Sequence, residues 1–171
     1  MKRILSVCLL LFLVVPLLNC ERDDICGEDT PTTPRIVVEF YDYLNPEVLK
    51  NVINLGVKSV DNDSTIVFTT GTKVFLPLKT DSDTVTLDLT INFDENPATT
   101  PYTDQIQFNY ARREVYVSRA CGYKTTFTLS ESNPPPFLLN GNTGTTNWIR
   151  NIIVDNYNIE DENETHIRIF Y

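Results

Sequence analysis

Thr84-Val85-Thr86-Leu87-Asp88-Leu89-Thr90-Ile91-Asn92-Phe93 is the stretch on which the fold turns. Val85, Leu87, Leu89, Ile91 and Phe93 alternate with Thr84, Thr86, Asp88, Thr90 and Asn92. In an extended chain successive side chains point to opposite faces, so this segment has one apolar and one polar face. Such a strand belongs to an antiparallel sheet with one side on a core and the other in water. Working outward, short runs of β-branched and aromatic residues recur at 35–43, 52–60, 65–70, 73–78, 104–110, 114–119, 123–129, 148–157 and 165–170, each bounded by Gly, Pro, Asn or Asp. The expected fold is all-β, an antiparallel β-sandwich or small barrel forming one domain over 35–171.

Two other local readings accompany it. Asn45 and Pro46 fit the cap and first position of a helical turn over 46–55 that Gly56 would end, the lesser alternative to a strand there. The connections 94–103 and 130–147 are long and rich in Pro, Asn, Thr and Gly. The second carries Pro134-Pro135-Pro136 followed by Phe137, Leu138 and Leu139, either an exposed loop patch or, the preferred reading, a plug folded over one end of the sandwich.

The beginning of the chain reads as an address. Met1, Lys2 and Arg3 precede fifteen uncharged residues, Ile4 to Leu18, the layout of a secretory signal and shorter than the about 20 residues a spanning helix needs. The junction Leu17-Leu18-Asn19-Cys20 resembles the lipobox of bacterial lipoproteins, with Asn19 where Gly, Ala or Ser is usual. That resemblance implies removal of 1–19, acylation of Cys20 with palmitate-type chains, and a lipid-anchored tether over 20–34. Two or three acyl chains hold a protein on a bilayer without a spanning helix. The acidic run Glu21, Arg22, Asp23, Asp24 resembles signals that direct some lipoproteins to the surface face of the outer membrane; its other reading is a solvated tether. The expected location is the cell envelope, as an outer-membrane lipoprotein.

Charge and cysteines narrow the classes. Loss of Lys2 and Arg3 takes the net charge from minus 9 to minus 11, a field that repels phosphate backbones, so nucleic acid is not an expected partner. Cys8 leaves with the signal and Cys20 carries lipid, leaving Cys26 and Cys121. In an oxidising compartment these are expected to form a disulfide, with free buried thiols or a reactive cysteine as the competing readings. Cys26 follows Cys20 by six residues, a reach of at most about 20 Å. A bridged domain would therefore sit close to its membrane.

The inventory of reactive groups is thin. His166, the single histidine, lies in an alternating run with Arg168 on the polar side and is expected at the surface. One histidine and two oxidised cysteines are too few ligands for zinc. Asp61-Asn62-Asp63 and Asp81-Ser82-Asp83 lack the spacing of a calcium loop and read as acidic turns. No catalytic residue, metal or cofactor is expected. The segment 112–124 gathers Arg112, Arg113, Arg119 and Lys124 with Tyr116 and Tyr123 in an otherwise acidic body. It reads either as an interaction patch for an acidic partner or glycan or, preferentially, as a brace around the disulfide with Arg119 paired to a carboxylate.

That segment, the Cys20 to Cys26 start and the closing run from Trp148 to Tyr171 together resemble a family of uncharacterised bacterial cell-envelope lipoproteins, a domain of unknown function. The resemblance implies an extracytoplasmic β domain and assigns no activity. Asp63-Ser64-Thr65 and Asp83-Thr84-Val85 also resemble short O-glycan acceptor motifs. The expected role is a non-enzymatic binding or structural module of the envelope, with an envelope protein or glycan as partner. The alternatives are a glycan-acting hydrolase using paired carboxylates and a small-ligand carrier with an apolar cavity.

Overall fold

In a computed structural model, the structure describes residues 25–93, 98–142 and 146–171, so Cys20 and the signal lie outside the described residues. The described chain contains eleven strands and no α-helix: β1 Ile36–Tyr41, β2 Val52–Ser59, β3 Thr65–Gly71, β4 Lys73–Leu76, β5 Thr84–Ile91, β6 Tyr102–Ser118, β7 Gly122–Leu129, β8 Phe137–Leu139, β9 Asn151–Val154, β10 Asn158–Ile159 and β11 Ile167–Phe170. They form a four-stranded sheet, β4-β1-β11-β9, and a seven-stranded sheet, β10-β7-β6-β5-β2-β3 with β8 also paired to β6. Neither closes into a barrel, and the sandwich expectation holds. Among the described residues no helix is long and apolar enough to cross a membrane.

The chain divides into two compact units, one of Ile25–Thr30 with Tyr116–Tyr123 and one of Pro31–Val115 with Lys124–Tyr171. The larger unit holds a single core. Phe40, Leu76, Ile167 and Ile169 of the small sheet and Leu55, Leu87, Leu89, Ile106, Phe108, Phe127 and Leu129 of the large one are all buried. The β5 alternation works as read, with Val85, Leu87 and Leu89 in the core. It stops at Ile91: Asn92 takes a left-handed φ of 56°, and Phe93 lies over Gly56 instead of entering the core, 42% exposed.

Several expectations are corrected. Residues 45–48 form a turn closed by the Val48 N–H on the Asn45 carbonyl, preceded by a bend in which Asp42 Oδ1 accepts the backbone N–H groups of Leu44 and Asn45, and no helix follows because β2 begins at Val52. The runs 104–110 and 114–119 are one strand, β6, whose apolar pattern lapses after Tyr110 because Ala111 to Glu114 are exposed. The run 148–157 yields β9 only from Asn151, with β10 beyond it. Although most pairings are antiparallel, β1 runs parallel to β11, Val38 opposite Ile167. Residues 137–139 form strand β8 against Ile106 to Phe108, with Phe137 and Leu139 packed on the core.

His166 is likewise not at the surface. It precedes β11 and is buried at 1% exposure, because the alternation of the strand does not extend to the residue that enters it.

Candidate functional site

The described surface carries two adjoining depressions where β5 begins beside the middle of β6 and the end of β7. One, of about 460 Å³, is lined by Asn109, Tyr110, Leu129, Ser130, Glu131 and Pro134 among others. The second, of about 450 Å³, is lined by Thr80, Arg112, Glu114 and Thr125. Asp83 and Ala111 border both.

Asn109 organises the first. It is a buried polar residue inside an apolar stretch of β6, and buried amides persist only when their hydrogen bonds are made. Its Nδ2 donates to the Pro135 carbonyl at 2.7 Å, its backbone N–H to the Pro136 carbonyl at 2.9 Å, and its own carbonyl accepts the Ser130 N–H at 2.9 Å. The Ser130 hydroxyl closes the turn by donating to the Pro134 carbonyl. The proline segment is thereby held as one rim. Beside it Tyr110 is buried, its hydroxyl accepting the Lys79 N–H at 3.0 Å and donating to the Lys79 carbonyl at 3.1 Å. Burial pushes this phenol up to about 12, so it stays a neutral donor and acceptor.

In the second depression Arg112 is tied to its own neighbours, while Glu114 is exposed on the rim. Arg112 donates through Nε to Asp83 at 2.6 Å and through Nη1 to the Thr80 carbonyl at 2.5 Å. The bond to Asp83 holds the guanidinium above its ordinary value.

Among the described residues, the carboxyl groups that depart from ordinary titration, Glu39, Asp42, Asp104 and Glu162, all depart downward, the direction that keeps them ionised. A glycoside general acid needs the opposite shift. Asp104, the deepest, would be raised by desolvation, but four donors outweigh it: Asn140 Nδ2 and Asn147 N at 2.7 Å on Oδ1, Trp148 N and Ile149 N at 2.8 Å on Oδ2. Every lone-pair direction is occupied by the loop it anchors. Among the described residues no group of His, Cys, Asp and Glu is placed to hold a metal ion. Asp61 pairs with Lys79 and Asp83 with Arg112, as turn acids do.

The residues of 112–124 do not share one task. In the smaller unit Cys26 and Cys121 form a disulfide with Cα atoms 5.1 Å apart, and Tyr116 meets Tyr123 edge to face at 5.4 Å. Cys121 N–H donates to the Ser118 hydroxyl at 3.1 Å. Arg119 is exposed and makes no ion pair among the described residues. In the larger unit Arg112 is tied to Asp83, Arg113 is exposed, and Lys124 Nζ donates to the Glu160 carbonyl at 3.0 Å. Phe137, Leu138 and Leu139 are half-buried in β8.

Sequence reading passed over Asn109 and the Ser130–Pro134 turn. Alternation along β6 puts Asn109 with Gln105 and Gln107 on the polar face, opposite Ile106, Phe108 and Tyr110, so the pattern carried no signal of its burial.

A family model, described as a family of unknown function, DUF6452, matches residues 54–171. The chain belongs to DUF6452. The DUF6452 match begins inside β2 and runs to the last residue, so it includes Cys121, Asn109 and both depressions but not Cys26 or β1. No curated protein and no solved structure matches the chain.

Proposed function

We propose that this DUF6452 protein is a lipid-anchored, extracytoplasmic component of the cell envelope whose β body is a binding or structural module, not an enzyme. The observation that carries the reading is the Cys26–Cys121 disulfide. Structural disulfides belong to oxidising compartments, and this one begins six residues after the cysteine of a lipobox-like junction. The chain start and the bridge thus argue for the same address from independent chemistry.

The surface best suited to a partner is the pair of depressions bordered by Ala111. Their rims carry Asp83, Glu114 and Glu131, which disfavours polyanions, and both lie open to solvent, which suits an envelope protein or a glycan better than an engulfed small ligand.

Two measurements test the proposal. The intact mass of the protein recovered from envelope fractions is expected to correspond to a chain starting at an acylated Cys20 with one internal disulfide. A photo-crosslinking residue at Ala111 is expected to capture a reproducible envelope component, and to lose it when Cys20→Ala releases the protein from the membrane. Recovery of an unacylated chain beginning at Met1 would overturn the address. Absence of any crosslink from the anchored form would overturn the binding role.

A further inference from the structure

The smaller unit, Ile25–Thr30 with Tyr116–Tyr123, leaves large apolar side chains in water on both sides of its disulfide. Ile25, next to Cys26, is 83% exposed, and Tyr123, two residues beyond Cys121, is 67% exposed. Tyr116 is 55% exposed although its ring meets that of Tyr123 edge to face at 5.4 Å. The turn between the two tyrosines is open at Arg119 and Ala120 as well. Among the described residues of this unit none is buried, so these side chains have no core of their own to enter.

We infer that this tip rests on the lipid interface of the leaflet that holds the chain's own anchor, with Ile25, Tyr116 and Tyr123 entering the headgroup region. The inference deepens the envelope reading and rests on the acylation of Cys20 proposed above. Cys20 precedes Cys26 by six residues, a reach of at most about 20 Å, and the bridge keeps the Cα of Cys121 5.1 Å from that of Cys26. A connection so short makes the approach of the tip to the bilayer an intramolecular event at high effective concentration. Weak contacts are then populated. Tyrosine suits such a place because its ring is apolar and its hydroxyl seeks water, the combination that collects where hydrocarbon meets headgroups. Charge selects the kind of lipid. Glu21, Asp23, Asp24, Glu28 and Asp29 outnumber Arg22 and Arg119 in the tether and the unit, so an anionic surface repels them. A zwitterionic headgroup imposes no such penalty, and Arg119, exposed at the turn, offers a cation to its phosphate.

The test uses the full chain recovered from envelopes and reconstituted in phosphatidylcholine vesicles that include a phosphatidylcholine with a diazirine at the top of its acyl chain. After photolysis, peptide mass spectrometry is expected to place lipid adducts on Ile25, Tyr116 and Tyr123, while the intact mass of the same sample reports the acyl group on Cys20 and the disulfide. Tyr116→Ser with Tyr123→Ser removes two exposed rings and no core contact. With anchor and disulfide intact, it is expected to cut labelling at Ile25 and Ala120 at least roughly fivefold. Replacing part of the phosphatidylcholine by phosphatidylglycerol is expected to lower labelling of the wild type, and salt to restore it. An acylated chain without adducts at the tip, labelling unchanged in the double-serine variant, or labelling raised by phosphatidylglycerol would each overturn the contact and leave the envelope address standing. An unacylated chain beginning at Met1 would overturn both.

Discussion

Val37 and His166 exchange two hydrogen bonds: the Val37 N–H donates to the imidazole Nδ1 at 3.0 Å, and the His166 N–H donates to the Val37 carbonyl at 3.0 Å. The side chain thereby completes the rung before the parallel β1–β11 ladder begins at Val38 and Ile167. Because Nδ1 accepts, the neutral ring carries its proton on Nε2.

Protonation of His166 would remove that acceptor. Burial lowers its pKa from the ordinary value of 6.5 even though Asp161, Glu164 and Glu162 pull it upward. The unfolded chain therefore binds the proton more readily than the folded one. The stabilisation is complete above about pH 6.5 and is lost as pH falls toward the folded value. Thermal unfolding is expected to show a falling midpoint across that window. His166→Asn should be less stable by about 1 to 3 kcal/mol at pH 8, with the Val37 N–H left buried, and should lack the loss of stability that the wild type shows as pH falls below about 6.5.

Asp104 holds Asn140 and the backbone of Asn147 to Ile149 through four charge-assisted bonds, and this places Trp148, whose Nε1 donates to the Leu89 carbonyl at 3.0 Å. Asp104→Ala orphans those donors together and is expected to destabilise by at least about 3 kcal/mol in denaturant titration, with loss of the near-ultraviolet signal of Trp148. Since its folded pKa is depressed, the contribution of Asp104 is present above about pH 4 and disappears only in stronger acid.

The disulfide joins positions 95 residues apart. In the chain-entropy account a loop of that length restricts the unfolded ensemble by about 4 to 5 kcal/mol. Cys26→Ser with Cys121→Ser is expected to lower the urea midpoint accordingly. Reduction of the wild type should produce the same shift and leave the double variant unchanged.

Gly56 is a packing glycine. A Cβ there would lie 2.6 Å from Cγ of Phe93, closer than carbon atoms approach, so the ring must move. Gly56→Ala is expected to cost about 1 to 3 kcal/mol by crowding. Combined with Phe93→Ala it should cost less than the sum of the two single changes, a coupling measurable in a double-mutant cycle.

Much of the architecture was legible before any coordinates. The alternation from Val85 to Leu89 says which side chains enter a core, since a strand turns every second residue to the same face. Counting cysteines identified the partners of the bridge. The candidate surface was less legible. Arg112, Arg113, Arg119 and Lys124 are neighbours in sequence, yet Arg112 is bound to Asp83 and Lys124 to the Glu160 carbonyl, and neither partner is visible from the cluster itself. Asn109 was not singled out, because alternation sets it on the polar face of β6 and its bonds run to prolines a long loop away.

The sequence alone therefore determined the strand-rich class, the apolar faces and the cysteine pair, all of which follow from local periodicity and composition. Only the tertiary structure decided that β1 pairs parallel with β11, that β8 grows from a loop, that His166 is buried against Val37, and that Asp104 is saturated by distant N–H groups. The physical reason is that periodicity states which face seeks cover, whereas the partner that covers it, and the group that completes each hydrogen bond, come from segments far along the chain.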